Sequence, residues 1–255
     1  LAQYDPKFKI WYTNFEPELY LYGRDVAEVN DLVVKPSMPN DGLYLVGSFD
    51  TVCKTCQQLY CSVGYWNGFE FDKVGDGLCP RATEVIMTIL TAALTSAGYF
   101  FVGGTFQSRV WNGEKFVNIY NVAKYDFKND AWLPLGDSKN TRFGGGLGCD
   151  SCTVSVKSLA WNELNNLLYM GGKFNMIDNI NIDPGLAFWT EEKGLQNFPG
   201  GGLYKSITLS GNKTLIQNGE ASSITYDSVS KSLFVAGNFN LIGNISCDSI
   251  AVWRE

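Results

Sequence analysis

The chain has 255 residues and a formal net charge of −6, with 45% hydrophobic and only 18% charged residues. That length buries a sizeable core and that composition excludes a disordered chain, while the acidic balance excludes a nucleic-acid backbone or an anionic membrane surface as natural partner. Histidine is absent, which removes the usual general base of Ser and Cys nucleophiles and the zinc sets that contain His.

In chain order, Leu1-Ala-Gln-Tyr-Asp5 opens the sequence, with Trp11 six residues beyond the Asp. Leu32-Val-Val34 then leads to Leu43-Tyr-Leu-Val-Gly-Ser-Phe49, and Val63-Gly-Tyr-Trp66 follows. The same order returns three times. Val85 to Thr91 precedes Tyr99-Phe-Phe-Val-Gly-Gly-Thr-Phe106, then Val122-Ala-Lys-Tyr-Asp126 with Trp132. Ser158-Leu-Ala-Trp161 precedes Leu168-Tyr-Met-Gly-Gly-Lys-Phe174, then Leu186-Ala-Phe-Trp189. Ser223-Ile-Thr-Tyr-Asp227 precedes Leu233-Phe-Val-Ala-Gly-Asn-Phe239, then Ile250-Ala-Val-Trp253. Short β-rich runs separated by polar turn residues read as hairpins. Repeat starts near 1, 63, 122, 186 and 250 set a period of about 60 residues. Four strands in a unit of that length describe a propeller blade.

Gly75-Asp-Gly-Leu78, Gly144-Gly-Gly-Leu147 and Gly200-Gly-Gly-Leu203 fall at matching points. No Lys-Ser/Thr pair follows them, so they read as tight turns between strands and not as phosphate loops. Val85 to Val102 is an uncharged run of 18 residues. Its Thr, Ser and Gly residues divide it into two strands with a turn near Ser96-Ala-Gly98, so no membrane insertion is expected.

The repeat resembles kelch-like and galactose-oxidase-like propellers. It is closer still to the extracellular propeller of fungal cortical polarity-marker proteins and related surface-protein repeats, in which a Gly-x-Phe strand end leads to Ile-Ala-x-Trp, a further Trp and Gly-Gly-Leu. Gly237, Phe239, Ala251, Trp253, Trp132 and Gly144 to Leu147 carry the resemblance, which extends over the whole chain. Only Gly103-Gly104 and Gly171-Gly172 keep the kelch glycine pair. The expected fold is therefore an all-β propeller domain over residues 1–255, with about four blades of four strands. The ring closes within the chain or forms part of a larger assembly. Five third strands accompany four Gly-x-Phe strands, and a surplus strand offers a free edge to another molecule.

Seven cysteines lie in loops: Cys53, Cys56, Cys61, Cys79, Cys149, Cys152 and Cys247. Two Cys-x-x-Cys pairs are compatible with zinc or with redox chemistry, but disulfides are the expectation in a secreted setting. Cys53, Cys56 and Cys61 form a local and a longer bridge in this reading; Cys79 bridges to Cys149 or Cys152, and Cys247 is left for an intermolecular bond. Sequons at Asn212 and Asn244 add N-glycosylation. Asp5 and Asp126 read as turn residues. Asn175 to Asp183 lacks the spacing of a calcium loop, and no metal, cofactor or catalytic residue is expected. The function expected is a non-enzymatic extracellular scaffold or surface glycoprotein that self-associates, head-to-tail fibres included. The alternatives are a carbohydrate- or protein-binding propeller, with the loop from Asp50 to Ser62 as its site, and a carboxylate-based glycosidase.

Overall fold

A computed structural model describes residues 3–12, 27–34, 42–49, 61–68, 70–79, 87–96, 98–111, 114–136, 145–149, 152–210 and 213–254. All regular structure in these residues is β. An N-terminal hairpin, β1 (Gln3–Asp5) and β2 (Ile10–Tyr12), pairs with no other described strand. Blade 1 is the antiparallel sheet β3 (Glu28–Val34), β4 (Leu43–Ser48), β5 (Val63–Trp66) and β6 (Phe71–Lys73). Blade 2 is β7 (Thr88–Leu94), β8 (Tyr99–Trp111), β9 (Phe116–Asp126) and β10 (Ala131–Pro134), and a short strand β11 (Gly145–Gly148) follows it. Blade 3 is β12 (Ser155–Asn162), β13 (Leu167–Lys173), β16 (Leu186–Thr190) and β17 (Gly194–Asn197), with the small hairpin β14 (Met176–Ile177) and β15 (Ile180–Asn181) inserted before its third strand. The hairpin β18 (Leu203–Leu209) and β19 (Lys213–Asn218) leads to blade 4. That blade has three strands, β20 (Glu220–Asp227), β21 (Ser232–Asn238) and β24 (Ile250–Arg254), with β22 (Leu241–Ile242) and β23 (Ile245–Ser246) inserted. The architecture is that of propeller blades.

The repeated residues explain the repeated backbone. Asp126 accepts from the N–H groups of Lys128 (2.9 Å) and Asn129 (3.4 Å), and Asp130 then takes a positive φ of 50°. Asp5 with Lys9, Asn162 with Asn166 and Asp227 with Lys231 build the same turn. A short side chain that bonds forward along its own backbone is what such a turn needs. So Asp5 and Asp126 are turn residues.

At the other end of each blade the first strand bulges, with register shifts at Val29/Asp31, Ile89/Thr91, Val156/Ser158 and Ala221/Ser223. A bulge pushes the backbone toward its partner strand. A Cβ at Gly47, Gly104, Gly172 or Gly237 would lie within 2.2 Å of a carbonyl oxygen of that first strand. The glycine of each Gly-x-Phe end is therefore required by close approach, and Phe49, Phe106, Phe174 and Phe239 beyond it are all buried.

Three apolar clusters join blade 1 to 2, 2 to 3 and 3 to 4. Among the described residues none joins blade 4 to blade 1, so the described blades follow one another as an arc. Blade 4 differs from the other three: Phe234 is exposed, whereas its counterparts Tyr44, Phe101 and Tyr169 are buried. Among the described residues no further blade covers it. The run 87–102 does divide into β7 and β8, with Gly98 N–H donating to Thr95 O at the turn. Among the described residues no helix is long and apolar enough to cross a membrane.

Candidate functional site

The insertions between second and third strands and the connectors between blades gather at one end of the arc. Two of the connectors are seen to thread between insertions. Strand β11 pairs in parallel with β9 of blade 2 and antiparallel with β14 of blade 3. In the next connector Leu203 N–H donates to Pro184 O of blade 3 (2.8 Å), and β18 pairs with β22 of blade 4. Two of the Gly-Gly-Leu segments are tight turns, with Gly77 N–H donating to Val74 O and Gly201 N–H to Phe198 O. The segment at 145–147 is instead a short strand, because glycine lets backbone enter a space where a side chain would collide: a Cβ on Gly146 would sit 2.1 Å from Tyr120 O. Leu78, Leu147 and Leu203 are fully buried, one in each of the three clusters between blades.

Disulfides pin this end. Cys61, at the foot of the blade 1 insertion, is joined to Cys79 of the following connector. Cys149 is joined to Cys152 within its own connector. The expected bridge from Cys79 to Cys149 or Cys152 does not form, because each cysteine finds its partner on the near side of the intervening blade 2. Cys53 and Cys56, and residues 50–60 of the loop singled out as a binding site, lie outside the described residues. Cys247 carries a free thiol, half-buried against the third apolar cluster. Burial, with the Asp248 charge, pushes its pKa up, which keeps the thiolate scarce.

Two cavities flank the Cys149–Cys152 wall. One, of about 430 Å³, is lined by Gln107, Tyr120, Asn121, Thr153, Met176 and Asp178 among others. The second, of about 580 Å³, is bordered by Lys173, Lys205, Gln217, Glu220 and Asn238. Several of their polar groups already have protein partners. Asn121 accepts from Phe106 N–H and donates to Leu147 O. Asp178 accepts from Gly146 N–H at 2.9 Å. Glu220 is ion-paired to Lys157 at 3.0 Å, and Lys205 donates to Asn238. Nearby, Asp183 accepts from Tyr204 Oη and Asn197 Nδ2; burial, then the hydrogen bond to this carboxylate, raises the Tyr204 pKa. These two acids of the Asn175 to Asp183 segment serve different neighbours, and among the described residues no cluster of three or more metal-ligating side chains occurs. The chemistry such walls offer is hydrogen bonding from amides, hydroxyls and lysines. Of the two sequons, Asn244 is exposed at the tip of the β22–β23 hairpin; Asn212 lies outside the described residues.

Sequence reasoning missed the polar contacts that hold the blades together. Asp31 Oδ2 accepts from Ala92 N–H (2.8 Å), Thr91 Oγ1 from Leu159 N–H (3.3 Å), and Ser158 Oγ from Ile224 N–H (3.1 Å). Each acceptor follows the bulge of one first strand and reaches the first strand of the next blade. The signal was a polar residue at one phase of every first strand. A second lock joins blades 2 and 3. Buried Lys124 pairs with Glu191 at 2.8 Å and lies over the rings of Tyr99 (4.4 Å) and Trp189 (4.8 Å), an aromatic setting that favours a cation.

No protein-family model and no curated protein matches the chain. Among solved structures it is similar to the extracellular domain of a one-component system from B. thetaiotaomicron, at 10% identity and a TM-score of 0.38 over 89% of this chain and 27% of that one. The chain thus spans about a quarter of the length of that protein. It is also similar to U3-55K (12% identity, TM-score 0.26, 93% of this chain and 99% of that chain) and to the WD40 repeats of RRP9 (12% identity, TM-score 0.25, 88% and 93%).

Proposed function

We propose that this protein is a non-enzymatic extracellular surface module, a glycoprotein scaffold that self-associates. The observation that carries the reading is how the polar and sulfur chemistry is used. Cysteines are oxidised in pairs that pin connectors, and the acids Asp5, Asp31, Asp126, Asp178, Asp183, Asp227 and Glu220 serve turns or contacts between elements. Structural disulfides belong to an oxidising compartment. Exposed Asn244 suits a glycan there, and Asn212 is the second acceptor. The resemblance of the repeat to extracellular propellers of fungal polarity-marker proteins supports the same placement.

The test is expression through a secretory pathway, followed by mass measurement of the peptides that carry Asn212 and Asn244. Glycan mass and protected thiols on all paired cysteines are expected; an unglycosylated chain with reduced Cys61 and Cys79 overturns the reading. The second reading, a glycan- or protein-binding propeller, rests on the two cavities beside the Cys149–Cys152 wall. A glycan array or pull-down with Gln107→Ala and Lys205→Ala variants separates it from a scaffold without ligand. Neither reading involves nucleic acid, membrane insertion or a cofactor.

A further inference from the structure

The long hairpin of blade 2 carries side chains that hold no blade together. Beyond the bulge, β8 and β9 pair through the rungs Gln107–Tyr120, Ser108–Ile119, Arg109–Asn118, Val110–Val117 and Trp111–Phe116. Alternate rungs point to opposite faces. On one face Val110, Val117 and Ile119 are buried in the cluster between blades 1 and 2, and Ser108 Oγ donates to Cys79 O. That face ties the hairpin down. The other face sets Gln107 and Tyr120, then Arg109 and Asn118, then Trp111 and Phe116 in a row, about 14 Å from first rung to last. Its end rung is open to solvent: Trp111 is 45% exposed and Phe116 58%. The two rings meet edge-on at 5.2 Å, and Arg109 lies over Phe116 at 4.9 Å.

The first rung is also a wall of the 430 Å³ cavity, which Thr153 and Asn179 line with it. The frame of this cavity is fixed. Asn121 and Asp178 hold backbone groups of the neighbouring segments, and Thr105 Oγ1 donates to Val154 O at 2.8 Å. Other polar side chains of the lining are not used in this way. Among the described residues Gln107, Tyr120, Thr153 and Asn179 have no side-chain hydrogen bond, and neither has Asn118 on the row. A cross-strand aromatic pair steadies a hairpin, which accounts for Trp111 and Phe116 alone. It needs neither the unpaired amides nor a cavity at the hairpin's base. Blade 1 packs on blade 2 and blade 4 on blade 3, so row and cavity lie in the interior of the series.

We infer that this row and the cavity at its base bind one extended oligosaccharide, with a sugar ring against Trp111 and hydroxyls at the other end of the chain bonded to Gln107, Tyr120 and Asn179. The chemistry of the lining selects that class. A side-chain amide donates and accepts at once, as a sugar hydroxyl does, so Gln107, Asn118 and Asn179 match it in either sense. An aromatic side chain offers an apolar body in a wet setting, which suits the C–H face of a pyranose. Charge is sparse. Arg109 is the one cation of the row, and the Asp178 carboxylate already accepts from Gly146 N–H. A polymer of phosphates finds too few cations here, and an apolar peptide would leave the amides covered and unpaired. The row seats sugars in line, and the cavity receives one end of the chain.

The inference deepens the second reading proposed above and rests on it. The test applies the full chain to a glycan array that includes extended β-linked glucose and N-acetylglucosamine chains, and measures affinity for a bound oligosaccharide by calorimetry. Binding is expected, and Trp111→Ala and Gln107→Ala are each expected to weaken it about fivefold, the worth of one ring contact or one hydrogen bond. Lys128→Ala, in the turn at the other end of β9, is expected to leave it unchanged. Trp111 and Gln107 are both exposed, and circular dichroism verifies that the variants fold. Trp111→Leu, which keeps apolar bulk and removes the ring, replaces Trp111→Ala if that variant does not. Unchanged affinity in the Trp111 and Gln107 variants overturns the inference. If Lys205→Ala abolishes binding instead, the sugar sits in the second cavity: the glycan-binding reading stands and this site falls. An array silent throughout overturns both, and a protein partner that needs Trp111 while the array stays silent overturns the sugar as ligand.

Discussion

Ser158→Ala tests whether the polar contacts between first strands hold the arc together. Ser158 Oγ accepts from Ile224 N–H at 3.1 Å and donates to Ile224 O at 3.2 Å, and Ile224 itself is buried between blades 3 and 4. Removing the hydroxyl leaves a donor and an acceptor of the innermost strand without that partner. An unsatisfied buried group costs about 1–3 kcal/mol. With a urea slope of about 3 kcal/mol per molar, the upper end that a chain of this size takes, the midpoint is expected to fall by roughly 0.3–1 M. In a repeat array stability is close to a sum of units and interfaces, so the loss appears first in the fluorescence of Trp253 on blade 4. The control is Ser223→Ala, the equivalent position of blade 4, which is exposed. An exposed serine without a partner changes stability by no more than about 0.5 kcal/mol. Equal losses at the two serines, or a Ser158→Ala loss below that control, refute the reasoning.

Gly172→Ala places a methyl group 2.1 Å from Ser155 O at the bulge; overpacking of this kind costs about 1–3 kcal/mol, seen as a lower thermal midpoint. Loop entropy ranks the two described disulfides, which close sequence separations of 18 and 3 residues. Chemical unfolding of Cys61→Ser/Cys79→Ser should show a loss of about 3 kcal/mol, and Cys149→Ser/Cys152→Ser about 1 kcal/mol less. Asp126 gives an acid limb. Burial pushes its pKa up, but hydrogen bonds from Asn129 and Lys128 and the Lys124 charge hold it below the ordinary 3.8. A depressed carboxylate contributes stability above its unfolded pKa and loses it as pH falls through the lower folded value. Urea midpoints of Asp126→Asn should therefore fall less steeply than those of the unmodified chain below about pH 4.

Period and phase were legible because apolar runs, glycines and turn acids recur at fixed offsets. Gly-x-Phe marked every second strand, and Tyr-Asp at 4–5 and 125–126 marked turns that the hydrogen bonds show. What stayed hidden depends on the third dimension. Ser158 is one serine among many until its strand is set against Ile224, and nothing local to Lys124 announces Glu191, 67 residues away. The cysteine pairing failed for the same reason. Cys79 and Cys149 stand in equivalent connectors, but an entire blade separates those connectors, and equivalence in a repeat is not proximity. The Gly-Gly-Leu segments were legible as turns at Gly77 and Gly201, but not at Gly146, because glycine also serves backbone entering a narrow slot; only the position of Tyr120 O beside Gly146 reveals that use.

The feet of the insertions carry one last consequence. Gly172 N–H donates to Gly185 O while Gly185 N–H donates to Phe174 O, and the same reciprocal pair joins Gly237, Ser249 and Phe239, and again Gly47, Ser62 and Phe49. Ser62, Gly185 and Ser249 all take the left-handed conformation there. Each insertion is thus clasped at its base by the same backbone geometry whatever its own sequence. The clasp fixes where residues 175–184 and 240–248 leave and re-enter the blade, and their contents are then free to specialise in gripping the neighbouring connector, as β14 grips β11 and β22 grips β18.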